Sequence, residues 1–340
     1  MWIQKLKYYL VASKYRTISS WHLLRKNIAL TLEKTSSQFR EADIAIFHEF
    51  SPPPGGGGNQ FLRALWGELE RRGLRVENNS ISRTTKVCLY NSFNFDFERL
   101  RTLKRLNCLM IHRVDGPISV YRGYDDGSDC HIWKINNELA DATIFQSRYS
   151  LNKTLELGLE FKSPHVITNA VNPAIFNPMG RIAFDRSRKI RLISTSWSDN
   201  PNKGAKVYKQ LEDSLDWERF EYTFVGRSKV KFERIRMVPP VNSEQLAEIR
   251  RQHDIYITAS QHEACSNSLI ESLSCGLPAI YIKSGSNAEL VGEAGLGFSA
   301  PEEIPELLDR LVNEYEERQK KILLPTLAEV CDRYLEVMQV

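Results

Sequence analysis

"DIYITASQHEACSNSLIESLSCGLP", residues 254–278, reads as a strand (Asp254 to Ser260), a loop (Gln261 to Cys265) and a helix (Ser266 to Cys275) that Gly276 and Pro278 stop. On that layout Glu263 lies in the loop and Glu271 inside the helix. Were the stretch one helix, the eight-residue spacing would set the carboxylates roughly 80° apart around its axis; the strand-loop-helix reading puts them on different elements. Free N–H groups near Ser266, Asn267 and Ser268, at the positive end of the helix dipole, suit a diphosphate. The two acids can accept hydrogen bonds from sugar hydroxyls on either side of it. Ribose, diphosphate and hexose in that order describe a nucleotide-sugar. A competing reading makes Ser268 and Glu271 a capping box, and Glu271 structural only.

Outward from this stretch, short apolar runs alternate with helical patterns. Ile44–Phe50, Lys86–Phe93, Asn107–Val114, Ala142–Ser147 and His165–Ala170 read as buried strands, with helices between them such as Gln60–Arg72, Phe97–Arg105 and Ser147–Leu157. A linker follows, "NPAIFNPMG" with "RIAFDRSRK". The second series holds "IRLISTSW", "YTFVG", "IRMVPP" (which includes Val238), "DIYITAS" and "PAIYIKSG", then helices over Glu303–Gln319 and Pro325–Met338. Strands apolar on both faces and separated by helices imply two α/β halves, each a parallel sheet covered on both sides. The division expected is 1–42, a basic helical segment; 43–172 and 173–322, the two Rossmann-like halves; and 323–340, a last helix returning to the first half. Open parallel sheets bind ligands beyond the carboxyl ends of their strands, so the cleft between the halves is where substrates belong.

Composition bounds the partners. The chain has 340 residues, 46 Lys or Arg and 42 Asp or Glu, a net +4 that is too mild to argue for nucleic acid. Six cysteines form no CxxC pair and the N-terminus has no secretory signal with a cleavage site, which fits a reducing cytoplasm. No apolar run reaches the roughly twenty residues of a spanning helix, so any membrane contact is peripheral. Residues 1–40 carry eight Lys or Arg against Glu33 alone. There Trp21, Leu24, Ile28 and Leu32 recur at helical spacing. This basic amphipathic helix either packs on the next domain or lies on an anionic membrane, at the inner face of the cytoplasmic membrane.

Two further stretches follow strands. "SPPPGGGGNQF" precedes a helix; its glycines, Gly57 and Gly58 among them, suit a phosphate cradle or a flexible loop. A dinucleotide fingerprint fits poorly, since Gln60 or Phe61 stands where the third small residue belongs; Glu77 keeps a nicotinamide-dependent dehydrogenase open. "IHRVDGPISVYRGYDDGSD" puts His112, Arg113, Asp115 and Arg122 just beyond a strand end, as candidate ligand contacts.

"HEACSNSLIESLSCGLPAI" resembles the E-x7-E signature of retaining glycosyltransferases of family 4, whose GT-B fold has two facing Rossmann-like domains and an interdomain cleft. "NKGAKVYKQL" resembles that family's Lys-Gly segment, and "FQSRYSLNKTLELG" with "HVITNAVNPAIFNP" its passage between domains. The resemblance implies that Glu263 contacts the donor hexose, Glu271 the ribose, and Lys203 the diphosphate, with His112 near the transferred sugar and the Gly55–Gly58 loop, Gly57 and Gly58 included, near the phosphates. It also implies transfer with retention, assisted by the leaving phosphate, without metal or other cofactor. Arg113, Asp115 and Arg122 are candidates on the acceptor side. The family often has an Arg six residues before the Lys; here that residue is Trp197, and Arg227 is the candidate substitute. The expectation is a hexosyltransferase acting from a nucleoside-diphosphate sugar on a glycan or lipid-linked glycan. The alternatives are a weakly active or inactive sugar-nucleotide-binding or glycan-binding protein, and the dehydrogenase.

Overall fold

The computed structural model describes residues 28, 32, 40–51, 57–92, 95–104 and 107–340. Of the helix expected over 1–42, only Ile28 and Leu32 fall in a described helix, both exposed; the rest lies outside the described residues. The first series runs β1 (Ile44–Phe47), α1 (Gly57–Arg71), β2 (Val76–Asn78), β3 (Val87–Asn91), α2 (Phe97–Leu103), β4 (Leu109–Val114), α3 (Ile118–Arg122), α4 (Ser128–Leu139), β5 (Ala142–Phe145), α5 (Arg148–Glu156) and β6 (Pro164–Val166). The second runs β7 (Ile190–Ser196), α6 (Ala205–Ser214), β8 (Phe220–Gly226), β9 (Arg236–Val238), α7 (Ser243–Arg251), β10 (Ile255–Thr258), α8 (Asn267–Ser274), β11 (Ala279–Ile282), α9 (Asn287–Val291), β12 (Gly295–Phe298), α10 (Ile304–Asn313), α11 (Tyr315–Lys320) and α12 (Leu327–Met338).

Two six-stranded sheets result, ordered β2-β1-β3-β4-β5-β6 and β12-β11-β10-β7-β8-β9, with every neighbouring pair parallel. Every residue of β1, β3 and β10 is buried, so these strands have no solvent face and require helices on both sides. The pleat sorts the second core into two clusters. Leu192, Phe224, Ile255, Ile257 and Ile280 face α6 and α10, while their chain neighbours Ile193, Val225, Tyr256, Ala279 and Tyr281 face α8. In the first core Phe47, Tyr90, Leu100, Met110, Ile135 and Leu139 pack together.

The order reverses once in each sheet. β1 steps out to β2 before β3 returns to its other side, and β7 steps through β8 to β9 before β10 returns beside β7. At such a reversal the loops after adjacent strands leave in opposite directions and open a crevice at the carboxyl ends.

The chain divides into two compact units. One comprises residues up to Phe50 with 66–167 and 331–340, the other 51–65 with 168–330. α12 forms because Leu327, Val330, Cys331, Tyr334 and Met338 make a buried stripe at helical spacing. Its second half belongs to the first unit, where Arg72 pairs with Asp332 and Arg333 donates to the Val166 carbonyl.

Several boundaries differ from the sequence reading. Residues 172–189, expected as a linker, are packed: Phe176 is buried, Phe184 stacks on Tyr315, and Arg188 holds the Asp254 carboxylate with both Nη atoms at 2.7 and 2.8 Å. β2 and β12 were not among the expected strands. β2 has three residues and none is buried; β12 is half glycine, although a Cβ on Gly295 would lie 2.1 Å from the Ala279 carbonyl oxygen, so only glycine lets it pair with β11. The helix expected over 303–319 breaks at Glu314 into α10 and α11.

Candidate functional site

β7 and β10 flank the reversal of the second sheet, and the segments after them converge. Past β7, Asn200 caps a 3₁₀ turn, Pro201–Lys203, by accepting from the Asn202 N–H at 2.9 Å. Gly204 then adopts φ 81°, and a Cβ there would meet the Ala259 carbonyl oxygen at 2.6 Å, so the turn closes on the end of β10 only as glycine. The Gln261 N–H donates to the Asn202 carbonyl at 2.8 Å and locks the two segments together. This places Lys203 Nζ on Glu263 Oε1, to which Ser260 Oγ also donates at 2.5 Å. From the loop after β11, Ser286 N–H donates to the Glu263 carbonyl at 2.9 Å, and Gly285 approaches so closely that a Cβ would lie 2.6 Å from Glu263 N.

Three residues beyond Glu263, Ser266 is the N-cap of α8, and its side chain makes no capping bond. The capping box of Ser268 and Glu271 is not formed. Ser268 lies within the helix, its hydroxyl against Thr195 Oγ1 and Tyr256 OH (2.9 Å to the latter), and Glu271 Oε2 accepts from Arg250 Nη1 at 2.6 Å. Asn267 heads the helix and receives a hydrogen bond from Asn169 Nδ2 at 3.0 Å. Gly57, the first residue of α1 and part of the same unit, sits against it: a Cβ there would lie 2.4 Å from Asn267 Nδ2 and 2.9 Å from Asn267 Cβ. A Cβ on Gly58 would meet nothing within 4 Å. Two helix N-termini therefore begin side by side, each with first-turn N–H groups lacking intrahelical partners. With the Lys203 ammonium nearby, the crevice offers amides and a cation to an anion, and two carboxylates to hydroxyls.

Trp197 follows β7 and is 37% exposed; the Arg227 guanidinium lies 5.0 Å from its ring centroid. Arg227 thus sits on an aromatic face. Gly226 before it, at φ 132°, leaves 1.9 Å between a would-be Cβ and the Ser196 carbonyl oxygen, so this close approach also requires glycine. Val238, a donor-side candidate, ends the edge strand β9, two strands from β7, and packs on the core cluster that includes Val225 and Tyr256.

In the first unit the sequence expectation for His112 is corrected. The strand expected over Asn107–Val114 is β4, and it contains His112 and Arg113, so the reading that set these two beyond the strand end fails; both are fully buried. The His112 ring stacks on Tyr90 at 4.4 Å, its Nδ1 is 3.1 Å from Asn136 Nδ2, and burial pulls its pKa down to about 3, so it is a neutral core imidazole. The alternation along the strand, apolar on both sides, hid this. Arg113 Nη1 donates to Asn91 Oδ1 and Asp115 Oδ1, each at 2.8 Å; Asn91 Nδ2 and Gln146 Nε2 also donate to Asp115, at 3.1 and 2.5 Å. Asn91, Asp115 and Gln146 follow or end β3, β4 and β5, so this network occupies the carboxyl edge of the first sheet. Arg122 ends α3 and pairs with Asp126 at the surface. Glu77 lies inside β2, and its carboxylate accepts from Ser82 N and Oγ and from Thr85 Oγ1 at 2.6 Å each; this local clamp supersedes the ribose contact of the dehydrogenase reading.

Sequence reasoning did not single out Arg250, Thr195, Asn91 or Gln146. Arg250 had a signal: it falls three residues after buried Ala247, in the core phase of α7, where a charge is out of place. Among the described residues no group of three or more His, Cys, Asp or Glu is placed to hold a metal ion.

Comparison with known proteins agrees with the architecture. Residues 229–324 match the model of the family described as "Glycosyl transferases group 1". No curated protein sequence matches the chain. Among solved structures, sucrose-phosphate synthase from Thermosynechococcus elongatus is similar with a TM-score of 0.65 at 14% identity, over 88% of this chain and 94% of that one. The catalytic domain of starch synthase IV from Arabidopsis thaliana, bound to ADP and acarbose, gives 0.64 at 11% identity, over 88% and 99%. Anabaena HepE in complex with UDP and glucose gives 0.60 at 13%, over 88% and 96%. The chain has the GT-B fold of these proteins, and its second unit carries the group 1 glycosyl transferase match.

Proposed function

We propose that the protein is a retaining glycosyltransferase of family 4 type that moves a hexose from a nucleoside-diphosphate sugar to a glycan or lipid-linked glycan. The single observation that carries this is the Lys203–Glu263 pair beside the uncapped start of α8, at the reversal of the second sheet. In this reading the diphosphate lies on the amides at the starts of α8 and α1 (Gly57, Gly58, Ser266, Asn267, Ser268), where Lys203 opposes the charge that grows as the leaving group departs. Glu263 accepts from hexose hydroxyls and Glu271 from the ribose. The bond from the anomeric carbon to the phosphate oxygen breaks, the acceptor oxygen bonds the same face of that carbon, and the acceptor proton passes to the departing phosphate. Lys203 does the electrostatic work here that a metal does in other transferases, so we propose transfer without a cofactor. Asp115, held by Arg113, Asn91 and Gln146, is the acceptor-side candidate. The basic segment 1–40 would bring the enzyme to a lipid-linked acceptor at the inner face of the cytoplasmic membrane.

The test is turnover: UDP-, GDP-, ADP- and dTDP-glucose are incubated with the protein, nucleoside diphosphate release is followed, and the anomer of the product is read by NMR. Release with an α-anomeric product from an α-linked donor supports the proposal; an inverted product removes the retaining mechanism.

A second reading has its own observation. Trp197, with Arg227 on its ring, stands where a second diphosphate cation is expected, which fits a protein that binds the sugar nucleotide and turns it over weakly or not at all. Donor binding without release distinguishes the two.

A further inference from the structure

Arg250 is among the largest fully buried side chains of the chain, with 0% exposure. A buried guanidinium is costly unless its charge is matched and its N–H groups are used. Its Nη1 donates to Glu271 Oε2 at 2.6 Å. Its Nη2 reaches Ser268 Oγ at 3.1 Å, the Ser268 carbonyl at 3.3 Å and Thr195 Oγ1 at 3.3 Å, and its guanidinium carbon lies 5.4 Å from the Phe176 ring centroid. One side chain on α7 thus ties together the first turn of α8, the carboxyl end of β7 and the second glutamate of the site. Among the described residues nothing donates to the other oxygen of Glu271, whose side chain keeps 11% of its surface exposed.

We infer that Arg250 is a positioning residue: it holds Glu271 by Oε2, leaving Oε1 as a fixed acceptor for a ribose hydroxyl, and thereby makes the site selective for ribonucleotides over deoxyribonucleotides. The inference rests on the proposed function, because it needs a nucleotide in this site. The fork geometry matters. Two parallel bonds, one to the carboxylate and one to Ser268, fix the glutamate relative to the helix N-terminus, which a flexible ammonium cannot do. A carboxylate so held is an acceptor only, and a hydroxyl that donates to it is distinguished from a hydrogen atom in the same place.

The experiment measures dissociation constants of UDP, GDP and ADP, and of their 2′-deoxy and 3′-deoxy counterparts, by titration calorimetry. The proteins compared are wild type, Arg250→Lys and Arg250→Met. Wild type is expected to prefer the best-bound ribonucleotide over one of its deoxy counterparts by about tenfold or more, the value of one hydrogen bond to a charged acceptor. Arg250→Met is expected to bring that ratio close to one, with Arg250→Lys between. Removing one partner of a buried pair endangers folding, so Arg250→Lys, which keeps the charge but not the fork, carries the test if Arg250→Met does not fold. A merely structural arginine lowers the melting temperature but leaves the ratio at its wild-type value in the folded variants, and that result overturns the inference while the nucleotide site stands. A wild type that binds none of the nucleotides overturns the proposed function and this inference with it.

Discussion

At the scale of single residues, some charged and titratable groups line the proposed donor site and others hold the frame. Lys203 is half of a pair at the crevice, so Lys203→Ala is expected to lower kcat by about a hundredfold to a thousandfold, the cost of losing one preorganised charge at the leaving group, with a smaller change in donor KM. Steady-state kinetics of sugar transfer check this, and a loss confined to KM contradicts it. His112 belongs to the frame. Its pKa is depressed from 6.5 to about 3 by burial, so below 6.5 the unfolded chain takes up a proton that the folded ring refuses. Stability is therefore lost as the pH falls from 6.5 toward 3. In urea melts His112→Phe should lose about 2 kcal/mol less than wild type between pH 7 and pH 5; equal losses contradict a buried neutral imidazole. Glu263 and the start of α8 were legible in the sequence because they follow a strand, and Lys203 because its segment resembles the family's Lys-Gly segment. The burial of His112 was not, since the apolar pattern of a strand does not say which of its polar residues the helices cover. Arg250 was overlooked because its partner is 21 residues away, although its helical phase marked it as buried.

At the scale of elements, the strands of the two sheet centres announced themselves by being apolar throughout, whereas β2 and β12 did not. β2 is a three-residue edge strand with no buried residue, and β12, though mostly buried, gains its place from what glycine allows, not from apolar content. The turns make the site. Gly204, at φ 81° against the Ala259 backbone, fixes where Lys203 stands, so Gly204→Ala is expected to destabilise the fold by about 2 kcal/mol or more. Gly67→Ala, exposed in the middle of α1 with nothing within 4 Å of the new Cβ, should stabilise by roughly 0.5–1 kcal/mol. Thermal or urea melts of the two variants give opposite signs if the reading of these two glycines is right. The capping box of Ser268 and Glu271 was a fair sequence pattern that the chain does not use, because Arg250 and Thr195 claim those side chains first.

At the scale of the whole molecule, two six-stranded parallel sheets with one reversal each decide where chemistry can occur. Solved structures with only 11–14% identity share this fold, so the topology tolerates nearly complete replacement of its residues. What the chain does then depends on the side chains it brings to those crevices. In the second unit these are a cation, two carboxylates and two neighbouring helix starts. The most direct measurement is the thermal stabilisation of wild type and Lys203→Ala by UDP-, GDP-, ADP- and dTDP-sugars. At one hundred times its dissociation constant the true donor should add about 2.7 kcal/mol to the wild type, and much less to the variant at the same concentration. Equal stabilisation of both proteins, or none with any sugar nucleotide, would contradict a donor diphosphate held beside Lys203.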